Sequence, residues 1–255
     1  MSYVVYLDAG HGGYDIGATY NDRKEKDDNL KLAMAVGKEL RNRGVETEFT
    51  RVNDVYQSPN EKAQMANADD ADLFVSLHRS SSPLPNTNSG VSSVIYNSGD
   101  EKEQLARQIN ENLEQVGFKN AGVDVRQNLT VLKKTNMPAV LVDVGFINTD
   151  SDNKIFDQQF NRIVMAIADA IEEFVRNREG MKPSVSYSIQ VGLFKNYQNA
   201  VNLQNTLLEA GYNSQIVPMG GYTAVLVGNF TKPEEAEKLE EKLISDGYET
   251  IIIER

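Results

Sequence analysis

The sequence contains no cysteine. That absence excludes disulfides, thiolate metal ligands and a cysteine nucleophile. It leaves the compartment open, because a cysteine-free chain works in reducing or oxidising surroundings. A run of about 18 apolar residues, which a membrane-spanning helix needs, is also missing, so no membrane span is expected. Basic residues are outnumbered: 26 Lys and Arg stand against 37 Asp and Glu, for a formal net charge of −11. A chain this acidic does not suit a phosphate backbone, which requires clustered Lys and Arg, so no nucleic-acid partner is expected. The first residues, Met1 to Asp8, lack a basic segment and reach Asp8 before an apolar stretch can form. No export signal is visible there. Either the sequence is trimmed or the protein leaves the cell by another route. Histidine is scarce too: His11 and His78 are the only two.

What remains is a regular alternation of strand-like and helix-like segments. Tyr3 to Leu7 reads as a buried strand opening into the Gly-rich loop Asp8-Ala9-Gly10-His11-Gly12-Gly13. Leu30, Ala33, Met34, Val36 and Leu40 share one helical face, and Gly44 ends that helix. Val45–Thr50, Leu73–Leu77, Val91–Tyr96 and Ala139–Asp143 read as strands, the last buried on both sides. Glu61–Ala68 reads as a short helix. Leu105, Ile109, Leu113 and Val116 mark another helix, and Ile163, Val164, Ile167, Ile171 and Phe174 a long final one. This pattern predicts an α/β domain, a layered sheet with flanking helices, over residues 1–178. A polar linker is expected at 179–185.

Residues 186–255 then repeat internally. Gly192 and Gly228, Phe194 and Phe230, Ala200 and Ala236, Leu203 and Leu239, and Leu207 and Leu243 are each 36 residues apart. Gly211 and Gly247, and Tyr212 and Tyr248, keep the same offset. Each copy reads strand, helix, glycine stop, strand. Two copies are too few for a solenoid, so a small pseudo-symmetric α+β domain is expected, with a four-stranded sheet and two helices on one face.

Both histidines sit at the C-terminal ends of apolar strands, the edge where open α/β sheets bind ligands. A catalytic zinc needs about three protein ligands and one open position. Two imidazoles and one carboxylate meet that need, and Glu25, just before the first helix, can point back at the same edge.

These residues carry a resemblance. Asp8-Ala9-Gly10-His11-Gly12-Gly13, Glu25-Lys26 before Asn29-Leu30, Ser76-Leu77-His78, and Pro138-Ala139-Val140-Leu141-Val142-Asp143-Val144-Gly145-Phe146-Ile147 resemble the zinc N-acetylmuramoyl-L-alanine amidases. The likeness covers roughly the first 175 residues, with four separated motifs in the right order. It implies that His11, Glu25 and His78 hold Zn2+. It also implies hydrolysis of the peptidoglycan amide between the lactyl group of N-acetylmuramic acid and L-alanine. A carboxylate off the metal then moves the proton, and Asp143 stands where the family usually has Glu. Asp is one methylene shorter, a loss of roughly 1.5 Å of reach. The resemblance further puts Ser80, where the family often has Asn, and Lys62, where it often has Arg, at substrate-binding positions.

Ile189-Gln190-Val191-Gly192-Leu193-Phe194 and Val225-Leu226-Val227-Gly228-Asn229-Phe230 are similar to the SPOR (sporulation-related repeat) domain, which implies binding to glycan strands stripped of stem peptides. Strand alternation turns Tyr187, Ile189 and Val191 to the helices and leaves Ser188, Gln190, Tyr222, Ala224 and Leu226 outward. Ser188, Gln190, Tyr222 and Leu226 are therefore the candidate glycan contacts. The expectation is an autolysin acting at the cell wall or outside the cell, or released at mother-cell lysis. The alternatives are a catalytically impaired wall-binding protein, because of Asp143, and a phage-type lysin.

Overall fold

The computed structural model describes residues 3–99, 101–178, 187–230 and 233–254. The chain divides into two compact units, Met1–Gly180 and Met181–Arg255. The linker expected at 179–185 lies outside the described residues.

The first unit begins with β1 (Val4–Ala9) and a short hairpin of β2 (Thr19–Tyr20) and β3 (Arg23–Lys24). There follow α1 (Glu25–Asn42), β4 (Glu46–Phe49), α2 (Pro59–Ala68), β5 (Leu73–Ser80) and β6 (Val91–Ile95). The unit closes with α3 (Glu101–Val116), β7 (Asn120–Val125), α4 (Thr130–Lys134), β8 (Ala139–Phe146), α5 (Asp150–Gln158) and α6 (Phe160–Arg178). The six-stranded sheet has the order β4-β1-β5-β8-β6-β7. Its first four strands are mutually parallel, while β6 runs antiparallel to β8.

Alternation along the strands builds two cores. Val5, Leu7, Leu73, Val75, Val140 and Val142 pack on one face against buried residues of α1, α3 and α6, among them Leu32, Ile109 and Ile167. Tyr6, Phe74, Val94 and Leu141 pack on the other, against Ala66 of α2 and Leu132 of α4. Burial on both faces is why β5 and β8 read as near-continuous apolar runs. Each large aliphatic side chain removed from water contributes about 1.5–3 kcal/mol. Asp8, Ser76, His78 and Asp143 alternate with the first core, so they fall on the second face.

The chain leaves β1 through α1 to reach β4 on one side, then returns through α2 to β5 on the other. β1 and β5 therefore flank a topological switch point, where the crossovers diverge and a crevice opens at the strand ends.

The helices depart from expectation in two places. Glu25 is the first residue of α1 rather than a residue before it, and with Asp27 and Asp28 it sits in the favourable field of the helix N-terminus. Met34 is 38% exposed. At 100° per residue it falls outside the arc that Leu32, Ala33, Val36 and Leu40 bury. β7, α4, α5 and the β2–β3 hairpin have no counterpart in the sequence reading, because they are short and only weakly patterned. α2 starts on a capping box, with Ser58 and Glu61 each bonding the other's backbone N–H.

The second unit contains β9 (Tyr187–Phe194), α7 (Tyr197–Glu209), β10 (Ser214–Met219), β11 (Tyr222–Phe230), α8 (Pro233–Ser245) and β12 (Ile251–Glu254). Shifting the bounds of α7 by 36 residues gives those of α8, so the sequence repeat is a structural one. The antiparallel sheet has the order β10-β11-β9-β12. Ile189, Val225 and Val227 share a core with Ala200 and Leu207 of α7 and with Ala236 and Leu243 of α8.

The other face of this sheet corrects part of the expected glycan surface. Ser188 and Leu226 are each only 1% exposed, and Ala224 is fully buried. Leu226 lies on a central strand between Gln215 of β10 and Gln190 of β9. Alternation assigns a face but not an exposure, and these side chains are buried. Tyr222, 40% exposed, and half-buried Gln190 remain accessible.

Candidate functional site

At the switch point three segments converge. His11 comes from the loop after β1, Glu25 from the start of α1 and His78 from near the end of β5. Their ligand atoms lie within 4.8 Å of one another, the one such His/Cys/Asp/Glu cluster among the described residues. His11 Nε2 is 3.2 Å from Glu25 Oε2, and His78 Nδ1 is 2.9 Å from Glu25 Oε1. The rings of His11 and His78 meet edge to face at 4.9 Å. A tetrahedral ion with bonds of about 2.0 Å separates its ligands by roughly 3.3 Å, so this spacing and donor set fit zinc and leave an open position.

The backbone is shaped for this arrangement. His11 itself adopts a left-handed φ of 60°, a conformation that non-glycine residues hold only where surrounding contacts enforce it. A Cβ on Gly10 would come within 2.4 Å of the His78 ring nitrogen Nε2, so only glycine lets β1 and the imidazole approach so closely.

Second contacts fix two of the ligands, His11 and Glu25. His11 Nδ1 lies 2.9 Å from Asp15 Oδ2, which leaves Nε2 facing Glu25. Glu25 accepts from the backbone N–H groups of Ala18 and Arg79 and from Asn29 Nδ2. Burial alone would raise the Glu25 pKa, but hydrogen bonds and charge from His11 and His78 hold it far below the carboxylate range. Burial pulls the His11 pKa down, and Glu25 and Asp15 together outweigh it, so the value is raised.

Asp143 lies on β8 as the register partner of His78 on β5. Parallel partners point the same way, so its carboxylate shares the face of the cluster. Burial is the main reason its pKa is raised; Glu25 adds to this and His78 opposes it. Ser80, two residues beyond His78, is half-buried where β8 gains an extra residue and pairs through Phe146.

Lys62 does not fill the expected substrate-binding role. It is 3% exposed, and its ammonium lies 2.8 Å from both Asp8 Oδ1 and the Ala9 carbonyl. Asp8 also accepts from Ser76 and Thr50 hydroxyls. A lone lysine in the second core requires such a partner, and Asp8, the one acid on β1, supplies it. Lys62 therefore holds up the strand that delivers His11.

Several supporting residues escaped the sequence reading. Arg51 donates to the carbonyls of Ala9, Gly10, Lys26 and Asn53. Arg79 bonds Asp28 and the Gly145 carbonyl, and its guanidinium lies 4.2 Å from the centre of the Phe156 ring. Burial pushes the Arg79 pKa down to about 10. The spacing of Asp15, four residues after His11, is the one local signal that could have revealed a ligand partner.

Comparisons with known proteins agree with this architecture. A family model described as N-acetylmuramoyl-L-alanine amidase matches residues 5–173, and one for the SPOR domain matches residues 183–254. The sporulation-specific N-acetylmuramoyl-L-alanine amidase of Bacillus subtilis (strain 168) is 33% identical over 219 residues, 84% of each chain. The endolysin of Bacillus phage SPP1 is 35% identical over 182 residues, covering 69% of this chain and 67% of the phage protein. Among solved structures, the catalytic domain of CwlV, an amidase from Bacillus (Paenibacillus) polymyxa, superposes with a TM-score of 0.63 at 30% identity. That match covers 68% of this chain and 98% of the other. An N-acetylmuramoyl-L-alanine amidase from Clostridium difficile gives 0.65 at 28% identity, over 69% and 98% of the two chains. The chain thus belongs to the N-acetylmuramoyl-L-alanine amidase family and carries a SPOR domain behind its amidase domain.

Proposed function

We propose that this protein is a zinc-dependent peptidoglycan amidase that cleaves the bond between N-acetylmuramic acid and L-alanine, and that its SPOR domain binds bare glycan. The observation that carries the reading is the convergence of His11, Glu25 and His78 beside Asp143 on one sheet face. His11, Glu25 and His78 would hold the metal. When bound, zinc lowers the pKa of a water and polarises the scissile carbonyl. Asp143 takes a proton from the attacking water and delivers it to the nitrogen of L-alanine as the C–N bond breaks. The lactyl group leaves as a carboxylic acid and the stem peptide as a free amine. Asp15 keeps the His11 tautomer, and the Asp8–Lys62 pair keeps the strand end in place.

The product of the amidase is glycan without stem peptides, the polymer assigned here to the SPOR domain. Tethering raises the effective concentration of the catalytic unit wherever cleavage has begun. The setting is the cell wall, reached by export or by release at mother-cell lysis. The match to a sporulation-specific relative over 84% of each chain, against 69% and 67% for the phage endolysin, supports this setting over a phage lysin.

The test is purified peptidoglycan incubated with the zinc-loaded protein. New L-alanine amino termini are expected, and they disappear with Glu25→Ala. Their absence at high protein concentration, with zinc confirmed bound, would favour the impaired wall-binding reading that Asp143 motivates.

A further inference from the structure

Beside the metal ligands stands an exposed aromatic pair that the amidase chemistry does not use. Tyr14 is 79% exposed, although it lies only three residues from His11. Its ring stacks on that of Tyr56, with centroids 4.2 Å apart and planes at 28°. Val55, 42% exposed, precedes Tyr56, and Ile16, 40% exposed, follows Tyr14 by two residues. A contiguous exposed apolar patch rimmed by polar groups is the kind of surface that marks a ligand-binding groove.

The backbone that carries the pair is clamped. Gly12 and Gly13 have φ of 137° and 58°. A Cβ on Gly12 would sit 2.2 Å from the Val55 carbonyl, and one on Gly13 would sit 2.7 Å from the Tyr56 nitrogen. The two glycines therefore let the His11 loop lie directly on the segment that carries Tyr56. Asp54 accepts from the Gly13 N–H, and Lys26 Nζ bridges the Gly13 carbonyl and Asp54. Two stacked rings on a clamped loop lose little freedom when a ligand arrives.

The chemistry of the surface selects its ligand. An extended peptide would need free backbone donors and acceptors. Here Gly12 and Asp15 pair with each other through both N–H and carbonyl groups. Both Gly13 groups are engaged, as are the Gly17 N–H and the Ile16 carbonyl. With most of its backbone groups engaged, the loop presents mainly an aromatic face with phenol hydroxyls at its rim. A pyranose ring, with C–H groups on its face and hydroxyls at its edge, matches that surface.

Resting on the amidase reading above, we infer that Tyr14, backed by Tyr56, is a sugar-binding shelf that takes a pyranose ring of the glycan strand next to the muramoyl unit being cleaved. Three residues span at most about 11 Å of chain, so the shelf stays within reach of a sugar adjacent to the His11 site. It gives the catalytic unit its own grip on the glycan, separate from the SPOR domain.

Two measurements test this on the full chain. The first compares KM for soluble substrates carrying one sugar or four. Tyr14→Ala is expected to raise KM for the four-sugar substrate about three- to tenfold relative to the one-sugar substrate, the range of a lost ring-stacking contact. An equal rise for both would put the shelf against the muramoyl unit or the peptide, and no rise would remove it; either result overturns the inference. The second uses metal-free protein labelled with 3-fluorotyrosine, the Tyr14 resonance being the one among 11 tyrosines lost in Tyr14→Phe. A bare tetrasaccharide is expected to shift that resonance saturably, and an unmoved signal overturns the shelf. A shifted signal in a protein that releases no amino termini would sink the amidase reading and leave the shelf standing.

Discussion

His78 and Asp143 are register partners on adjacent parallel strands, so a ligand of the proposed metal and the proposed proton carrier are fixed by the same backbone ladder. The shorter aspartate is thus delivered on a rigid strand. Asp143→Ala is expected to lower the rate of amino-terminus release by about 10²–10⁴, the usual contribution of a positioned base, with metal content unchanged. Asp143→Glu restores the residue usual in the family and is expected to retain activity. A full rate in Asp143→Ala would remove Asp143 from the mechanism.

Metal binding should depend on pH through His11. Its pKa is raised above the ordinary 6.5, since Glu25 and Asp15 outweigh the opposing effect of burial. In the metal-free protein this raised value stabilises the fold fully below the unfolded pKa, and the gain is lost as pH rises through the folded one. The metal needs the neutral ring, so zinc affinity should fall as pH drops through that raised value. Asp15→Asn removes one source of the rise. It is expected to move the fall-off to lower pH and to weaken zinc binding about 10–100-fold where the ring is neutral. Chelator competition across pH reads both, and an unchanged profile would separate Asp15 from metal binding.

Lys62 is a structural residue. Lys62→Met leaves the Asp8 carboxylate buried without its cation and should cost about 3–5 kcal/mol in denaturant unfolding. Adding Asp8→Asn should recover much of that loss. A large KM effect with unchanged stability would return Lys62 to the substrate.

In the second unit, Tyr222 and Leu226 should separate cleanly. Tyr222→Ala removes an exposed ring that has Lys195 Nζ 5.7 Å from its centre, and should weaken co-sedimentation with bare glycan while leaving the unfolding midpoint intact. Leu226→Ala empties a buried position and should destabilise this unit by about 2–5 kcal/mol. The reverse pattern would refute the assignment of Tyr222 to the binding surface.

Sequence by itself determined the repeat, the strand faces and the two scarce histidines. Periodicity is written locally: a period of two puts Asp8, Ser76 and His78 on one face, and a period of 36 residues fixes α7 against α8. The motifs around His11, Glu25, His78 and Asp143 are short contiguous strings, legible as such, and the role of Asp143 came only from the family resemblance. Only the tertiary structure decided what surrounds each side chain. Lys62 looked available to substrate until Asp8, 54 positions earlier, proved to hold it. Leu226 is outward by alternation yet buried, and Tyr14 gained meaning only once Tyr56 lay beneath its ring. Exposure and charge pairing depend on contacts between distant segments, and those contacts exist only once the sheet has brought its strand ends together.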